Sequence, residues 1–145
     1  MAIEEAKYIW KNGELVPWAE CTTHVLTHSL HYGSAVFEGM RCYYNEETDA
    51  SYVFRLQDHM ERLIRSAKIC MTEVPYPADE PVAATLELIK ACELKSCYVR
   101  PLVYRGYGQM GVDPTGAPVD VIIACWPWGA YLGADALEKG IKVGV

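Results

Sequence analysis

The chain has 145 residues, of which 51% are hydrophobic, with a formal net charge of -6. Such a length suits one domain with a modest core, and such a composition excludes a disordered chain. The acidic balance argues against nucleic-acid or anionic-membrane partners; no apolar run approaches the roughly 18 residues of a membrane span, and no signal-peptide pattern opens the chain.

Tyr8-Ile9-Trp10, Asn12-Gly13 and Leu15-Val16 predict a tight hairpin, because Asn-Gly suits a type I′ turn. Between Thr22 and Leu30 a helix would set His24, His28 and, just beyond, His31 on one face. No cysteine or carboxylate is placed to complete a metal site there, so the three are expected to be structural or hydrogen-bonding. The six cysteines (Cys21, Cys42, Cys70, Cys92, Cys97, Cys125) contain no CxxC pair. They read as reduced core thiols of a cytoplasmic protein.

A central strand is expected from Ala35 to Tyr44, returning through a polar turn into Ser51–Arg55. Side chains two apart share a strand face, so Phe37, Gly39 and Arg41 point one way and Glu38 the other. An aromatic wall, a gap and a guanidinium on one face suit a ligand floor; a core strand bulged at Gly39 is the plainer alternative. Leu56, Met60, Leu63, Ile64 and Ala67 then keep the helical period, predicting an amphipathic helix over Gln57–Cys70. Arg62 and Arg65 flank its apolar stripe, where pattern alone suggests snorkelling or ion pairing.

The three prolines of Val74–Pro81 predict a loop, and Val82–Leu94 a second helix with Val82, Leu86, Ile89 and Leu94 inward. Cys97–Tyr104 reads as a strand with Tyr98 and Arg100 on one face. Pro101 must interrupt its pairing or put it at an edge. Gly106–Pro118 holds four glycines and two prolines and is a loop; Asp120–Trp126 is an apolar strand. Trp128 and Tyr131 follow as turn aromatics, and Ile141–Val145 alternates as though cut within a strand.

Six segments, taken in order, resemble the branched-chain amino-acid aminotransferases, class IV aminotransferases of PLP (pyridoxal phosphate) fold type IV. They are His31-Tyr32-Gly33, Val36-Phe37-Glu38-Gly39-Met40-Arg41, His59-Met60-Glu61-Arg62-Leu63, Tyr98-Val99-Arg100-Pro101, Gly108–Pro114 and Pro127–Gly133, the last resembling the interdomain connection. The similarity runs from Tyr8 to about Gly140. It implies the small α/β (α+β) N-terminal domain of those enzymes, over residues 1–133, with a mainly antiparallel sheet and flanking helices. Residues 134–145 would begin the cofactor domain.

By the same resemblance Arg62 binds the phosphate of pyridoxal 5′-phosphate. Tyr32, Phe37, Gly39, Trp128 and Tyr131 line an apolar substrate pocket, and Arg41 and Tyr98 brace it. Arg100 receives the distal carboxylate of glutamate. Met110 and Val112 lie in a loop that reaches a neighbouring subunit's pocket, so a homo-oligomer is expected.

The implied reaction moves the amino group of leucine, isoleucine or valine to 2-oxoglutarate. None of the lysines (Lys7, Lys11, Lys68, Lys90, Lys95, Lys139, Lys142) stands in a segment matching the family's catalytic lysine. The chain alone is therefore expected to be an inactive fragment. Two alternatives stay open: another fold type IV enzyme (a D-amino-acid aminotransferase or an aminodeoxychorismate lyase), or a non-catalytic binding module.

Overall fold

The computed structural model describes residues 3–128 and 139–144. Tyr131 and the expected domain boundary at residue 133 lie outside the described residues. Among the described residues seven strands form one antiparallel sheet: β1 (Tyr8–Lys11), β2 (Glu14–Pro17), β3 (Ala35–Phe37), β4 (Met40–Asn45), β5 (Ala50–Val53), β6 (Cys97–Arg105) and β7 (Val119–Trp126). Their order is β2-β1-β7-β6-β4-β5, with β3 also paired to β6. The expected mixed α/β domain with a mainly antiparallel sheet is thus observed.

The first hairpin turns where the sequence places it, with Asn12 at φ 50° and Gly13 at φ 99°, as a type I′ turn requires. Asn12 also ties that turn to β7: its amide donates to Asp120 Oδ1 (2.7 Å) and its Oδ1 accepts from Val121 N (2.8 Å).

The expected single strand Ala35–Tyr44 is two strands, β3 and β4, broken at Glu38-Gly39. The register does not slip across the break, since Phe37 faces Leu102 and Met40 faces Val99. Glu38 therefore lies opposite Pro101. Its N–H donates to the Pro101 carbonyl (3.1 Å), but proline has no N–H to return. Of the two alternatives at Pro101, interrupted pairing is the one realised, inside a central strand.

Two long helices cover one face of the sheet, α2 (Leu56–Ile69) and α3 (Asp79–Ala91); a short α1 (His28–Tyr32) lies between β2 and β3 in the chain. The core forms between α2, α3 and the sheet. Met60, Leu88, Val99, Ile123 and Cys125 are fully buried in it. Full burial of such a side chain stabilises by about 1.5–3 kcal/mol.

The inward face of α3 differs from expectation at Leu86, while Ile89 is buried and Val82 and Leu94 pack against the core as expected. Pro81, Ala84, Thr85, Leu88 and Ile89 are buried, whereas Leu86 is 53% exposed. Proline is tolerated in a first helical turn, where the N–H has no intrahelical partner, so the helix starts at Asp79 rather than Val82. The stripe set by Pro81, Ala84 and Leu88 leaves Leu86, two residues from the last two, on the outer side.

The histidines do not share a helical face, because α1 begins at His28 and His24 precedes it. His28 is buried; its Nε2 donates to the Gly111 carbonyl (2.8 Å) and its Nδ1 bonds Ser34 Oγ (2.7 Å). His24 Nδ1 accepts from Leu26 N, and His31 Nε2 bonds the Val25 carbonyl. Gly140–Gly144 joins no strand among the described residues and is exposed, contrary to the alternation of its sequence. A strand without a partner gains no ladder to hold it.

The cysteines are free, with Cys42, Cys92, Cys97 and Cys125 buried, Cys21 half-buried and Cys70 exposed. The Cys97 thiol is pushed up to about 12, first by its hydrogen bond with Cys125 and further by burial. A thiol so held is not a nucleophile at neutral pH.

Candidate substrate face and phosphate anchor

The face of the sheet away from α2 and α3 gathers most of the residues singled out by sequence. Arg41 on β4 pairs with Tyr98 on β6, which pairs with Trp126 on β7. Antiparallel partners point to the same side, so Phe37, Arg41, Tyr98 and Arg100 share it. The rings of Tyr98, Trp126 and Trp128 pack together, with centroids 4.4–5.4 Å apart, into an aromatic wall. Arg41 reaches the Trp128 carbonyl at 3.4 Å.

Arg100 sits at the centre of this face. The strand register puts Gly39 on one side of it and Ala124 on the other, the two smallest neighbours available. Its guanidinium lies over the Phe37 ring, 4.5 Å from the centroid, and donates to the Tyr98 hydroxyl at 2.9 Å. The Nε is buried and has no hydrogen-bond partner among the described residues. Arg100 also lines a hollow of this face, where a charged donor set beside aromatic carbon is suited to an incoming carboxylate.

Gly39 is needed here for a reason the sequence did not reveal. A Cβ at this position would lie 2.1 Å from the Tyr98 hydroxyl. The absent side chain is thus filled from inside the protein, by the phenol that holds Arg100.

Two hollows share Arg41 and Tyr98. One, of about 290 Å³, is completed by Arg100 and Trp128. The other, of about 440 Å³, includes Gly39, Phe54 and His59. Neither is lined by Tyr32, Met110 or Val112. Tyr32 stacks on His28 instead, and Val112 is 89% exposed on the Gly106–Pro118 loop. No lysine lines either hollow.

Arg62 stands on the helix side of the β3–β4 break. Its Nε donates to Glu38 Oε1 and its Nη2 to Oε2 (2.7 Å), a bidentate pair. His59 Nδ1 lies 2.9 Å from the same Oε2 and 3.4 Å from Arg62 Nη2. Glu38 is 7% exposed, and its carboxyl is lowered to about 2, by the Arg62 hydrogen bond above all and by His59, against burial. Alternation had sent Glu38 away from Phe37 and Arg41, as found. What it meets there, His59 and Arg62 three residues apart on α2, was readable from the helical period once the two segments were known to pack.

Arg62 keeps its Nη1 donors without a partner among the described residues, on a side chain that is 59% exposed. That donor set fits a phosphate group.

The class IV amino-transferase family model matches residues 35–143. A branched-chain-amino-acid aminotransferase of Pseudomonas aeruginosa is 50% identical over 135 residues, 93% of this chain and 43% of the relative. The crystal structure of the Escherichia coli branched-chain amino acid aminotransferase superposes with a TM-score of 0.88 at 50% identity, over 94% of this chain and 44% of that one. The branched-chain aminotransferase of the archaeon Thermoproteus uzoniensis, solved with norvaline, superposes with a TM-score of 0.81 at 44% identity, over 88% and 42%. The chain thus spans less than half the length of the curated relatives it matches.

Proposed function

Because this chain belongs to the class IV aminotransferases, we propose that it is the N-terminal part of a pyridoxal-phosphate-dependent branched-chain aminotransferase. Residues 1–133 form the small domain, and 134–145 begin the cofactor domain. The enzyme moves the amino group of leucine, isoleucine or valine to 2-oxoglutarate. It works in the cytoplasm as a homo-oligomer whose Gly106–Pro118 loop brings Met110 and Val112 to a neighbouring subunit's site.

The observation that carries this reading is Arg100, a guanidinium that lines a hollow beside Phe37, Tyr98 and Trp128. A transaminase with these substrates must accept an apolar side chain and a carboxylate in turn at one place. The rings offer carbon to leucine, and Arg100 offers charge to glutamate. Tyr32 and Tyr131 are assigned to the rest of the pocket, and Arg41 and Tyr98 to bracing it. Gly39 makes room for Tyr98. Pyridoxal phosphate, when bound, supplies the electron sink for the chemistry. Arg62 holds its phosphate from this domain through donors that Glu38 leaves unspent.

The test is Arg100→Met in the full-length protein. Losing one partner of a buried charge pair costs about 2–5 kcal/mol, against roughly 1–3 for an apolar contact. Single-turnover kinetics should show the glutamate/2-oxoglutarate half-reaction damaged far more than the leucine half-reaction. Equal loss in both, in a folded variant, would make Arg100 a scaffold residue.

A further inference from the structure

We propose that Glu38, seconded by His59, is a positioning residue that fixes the Arg62 guanidinium and thereby sets the affinity for the cofactor's phosphate. The inference rests on the reading above that Arg62 meets that phosphate, and goes beyond it in naming what aims the arginine.

Arg62 projects from an exposed position on α2, on a long side chain with many rotamers. An unheld arginine would surrender that freedom each time a phosphate bound. Here the loss is already taken in the fold. Glu38 engages the Nε/Nη2 edge with both carboxylate oxygens, so the guanidinium plane is fixed and only its outer donors remain.

Glu38 is in turn fixed on three counts. It is buried, its backbone N–H is bonded to the Pro101 carbonyl, and Oε2 takes a second bond from His59. Pro101 breaks the ladder at this residue, and Glu38 turns its side chain toward α2 between two strands that keep their register. His59 also lines the hollow that contains Gly39, Arg41 and Tyr98, so the clamp adjoins the substrate face.

A carboxylate near a phosphate could weaken binding by repulsion. The geometry argues otherwise, because Glu38 takes one edge of the guanidinium and leaves the other for the ligand. The sign of the effect is what the experiment reads.

The full-length enzyme is stripped of cofactor and titrated with pyridoxal 5′-phosphate and with pyridoxal, which lacks the phosphate, in wild type, Glu38→Gln, Arg62→Ala and the double variant. Binding is followed by equilibrium dialysis, independent of turnover. Glu38→Gln should weaken pyridoxal 5′-phosphate roughly tenfold, by analogy with the low end of the loss seen when a partner that orients a metal ligand is removed. It should leave pyridoxal unchanged, and add little to Arg62→Ala.

Unchanged or tighter pyridoxal 5′-phosphate binding by Glu38→Gln, with Arg62→Ala weakened, overturns the positioning role and leaves the phosphate reading standing. Equal weakening of both ligands by Glu38→Gln also overturns it, as a general structural effect. If Arg62→Ala itself loses no preference for the phosphorylated ligand, the phosphate reading fails first. Should Glu38→Gln not fold, Glu38→Asp keeps the charge but withdraws it by one methylene. The same selective loss is expected, and undiminished affinity is the contrary result.

Discussion

Gly39 and Tyr98 make the most sharply defined contact on the candidate substrate face. A methyl group at residue 39 would collide with the Tyr98 hydroxyl, and the ring cannot swing away freely because Trp126 and Trp128 pack against it. Gly39→Ala should therefore destabilise the fold by about 1–3 kcal/mol, as overpacking does, in urea unfolding. It should also loosen the Tyr98 bond to Arg100. A change under about 0.5 kcal/mol, the range of indifferent surface substitutions, would mean the phenol yields at no cost. Glu38 makes a second prediction. Its carboxyl is lowered to about 2 from an ordinary 4.5. The ionised, paired form thus contributes stability that is full above about 4.5 and is lost as pH falls toward 2. Between those values the stability of wild type should fall more steeply than that of Glu38→Gln; parallel curves would contradict the pairing. The alternation of residues 37–41 was legible in the sequence, and so was Glu38's opposite direction. Its partners were not, because no local pattern says which helix face a strand will meet.

At the scale of elements, punctuation was read well where its chemistry is local and badly where two rules compete. Asn12-Gly13 determined its turn because few residues accept positive φ at both central positions. Pro101 announced a break, and only the neighbouring register shows that β6 is nonetheless central. Pro81 misled: it is a breaker in helix interiors but acceptable in a first turn, so α3 starts earlier than expected, and of the residues expected inward Leu86 is the one left exposed. The corrected face makes a paired prediction. Leu88→Ala should cost about 2–5 kcal/mol as a core truncation, whereas Leu86→Ala should stay within about 0.5 kcal/mol. Thermal or urea unfolding of the two variants decides it, and equal losses would return α3 to the orientation expected from sequence.

On the scale of the whole molecule, one face of the sheet is sealed by α2 and α3 while the other leaves large apolar side chains in the open. Phe37, Tyr43 and Phe54 are 60%, 55% and 66% exposed. An apolar surface of that kind marks a place for further protein or ligand. It is the same face that carries Arg100, and the chain covers less than half the length of its curated relatives. The residues proposed for the substrate floor and the phosphate anchor lie in this chain, while no lysine lines either hollow of the face. We propose that residues 1–145 shape the site and bind, leaving the covalent chemistry to a lysine outside them. The most direct test is turnover of leucine with 2-oxoglutarate in the presence of pyridoxal 5′-phosphate, measured side by side for residues 1–145 and for the full-length protein. Steady transamination is expected from the full-length protein, and none above the protein-free rate from residues 1–145. Turnover by residues 1–145 alone, or none by the full-length protein with any of the three branched-chain substrates, would contradict it.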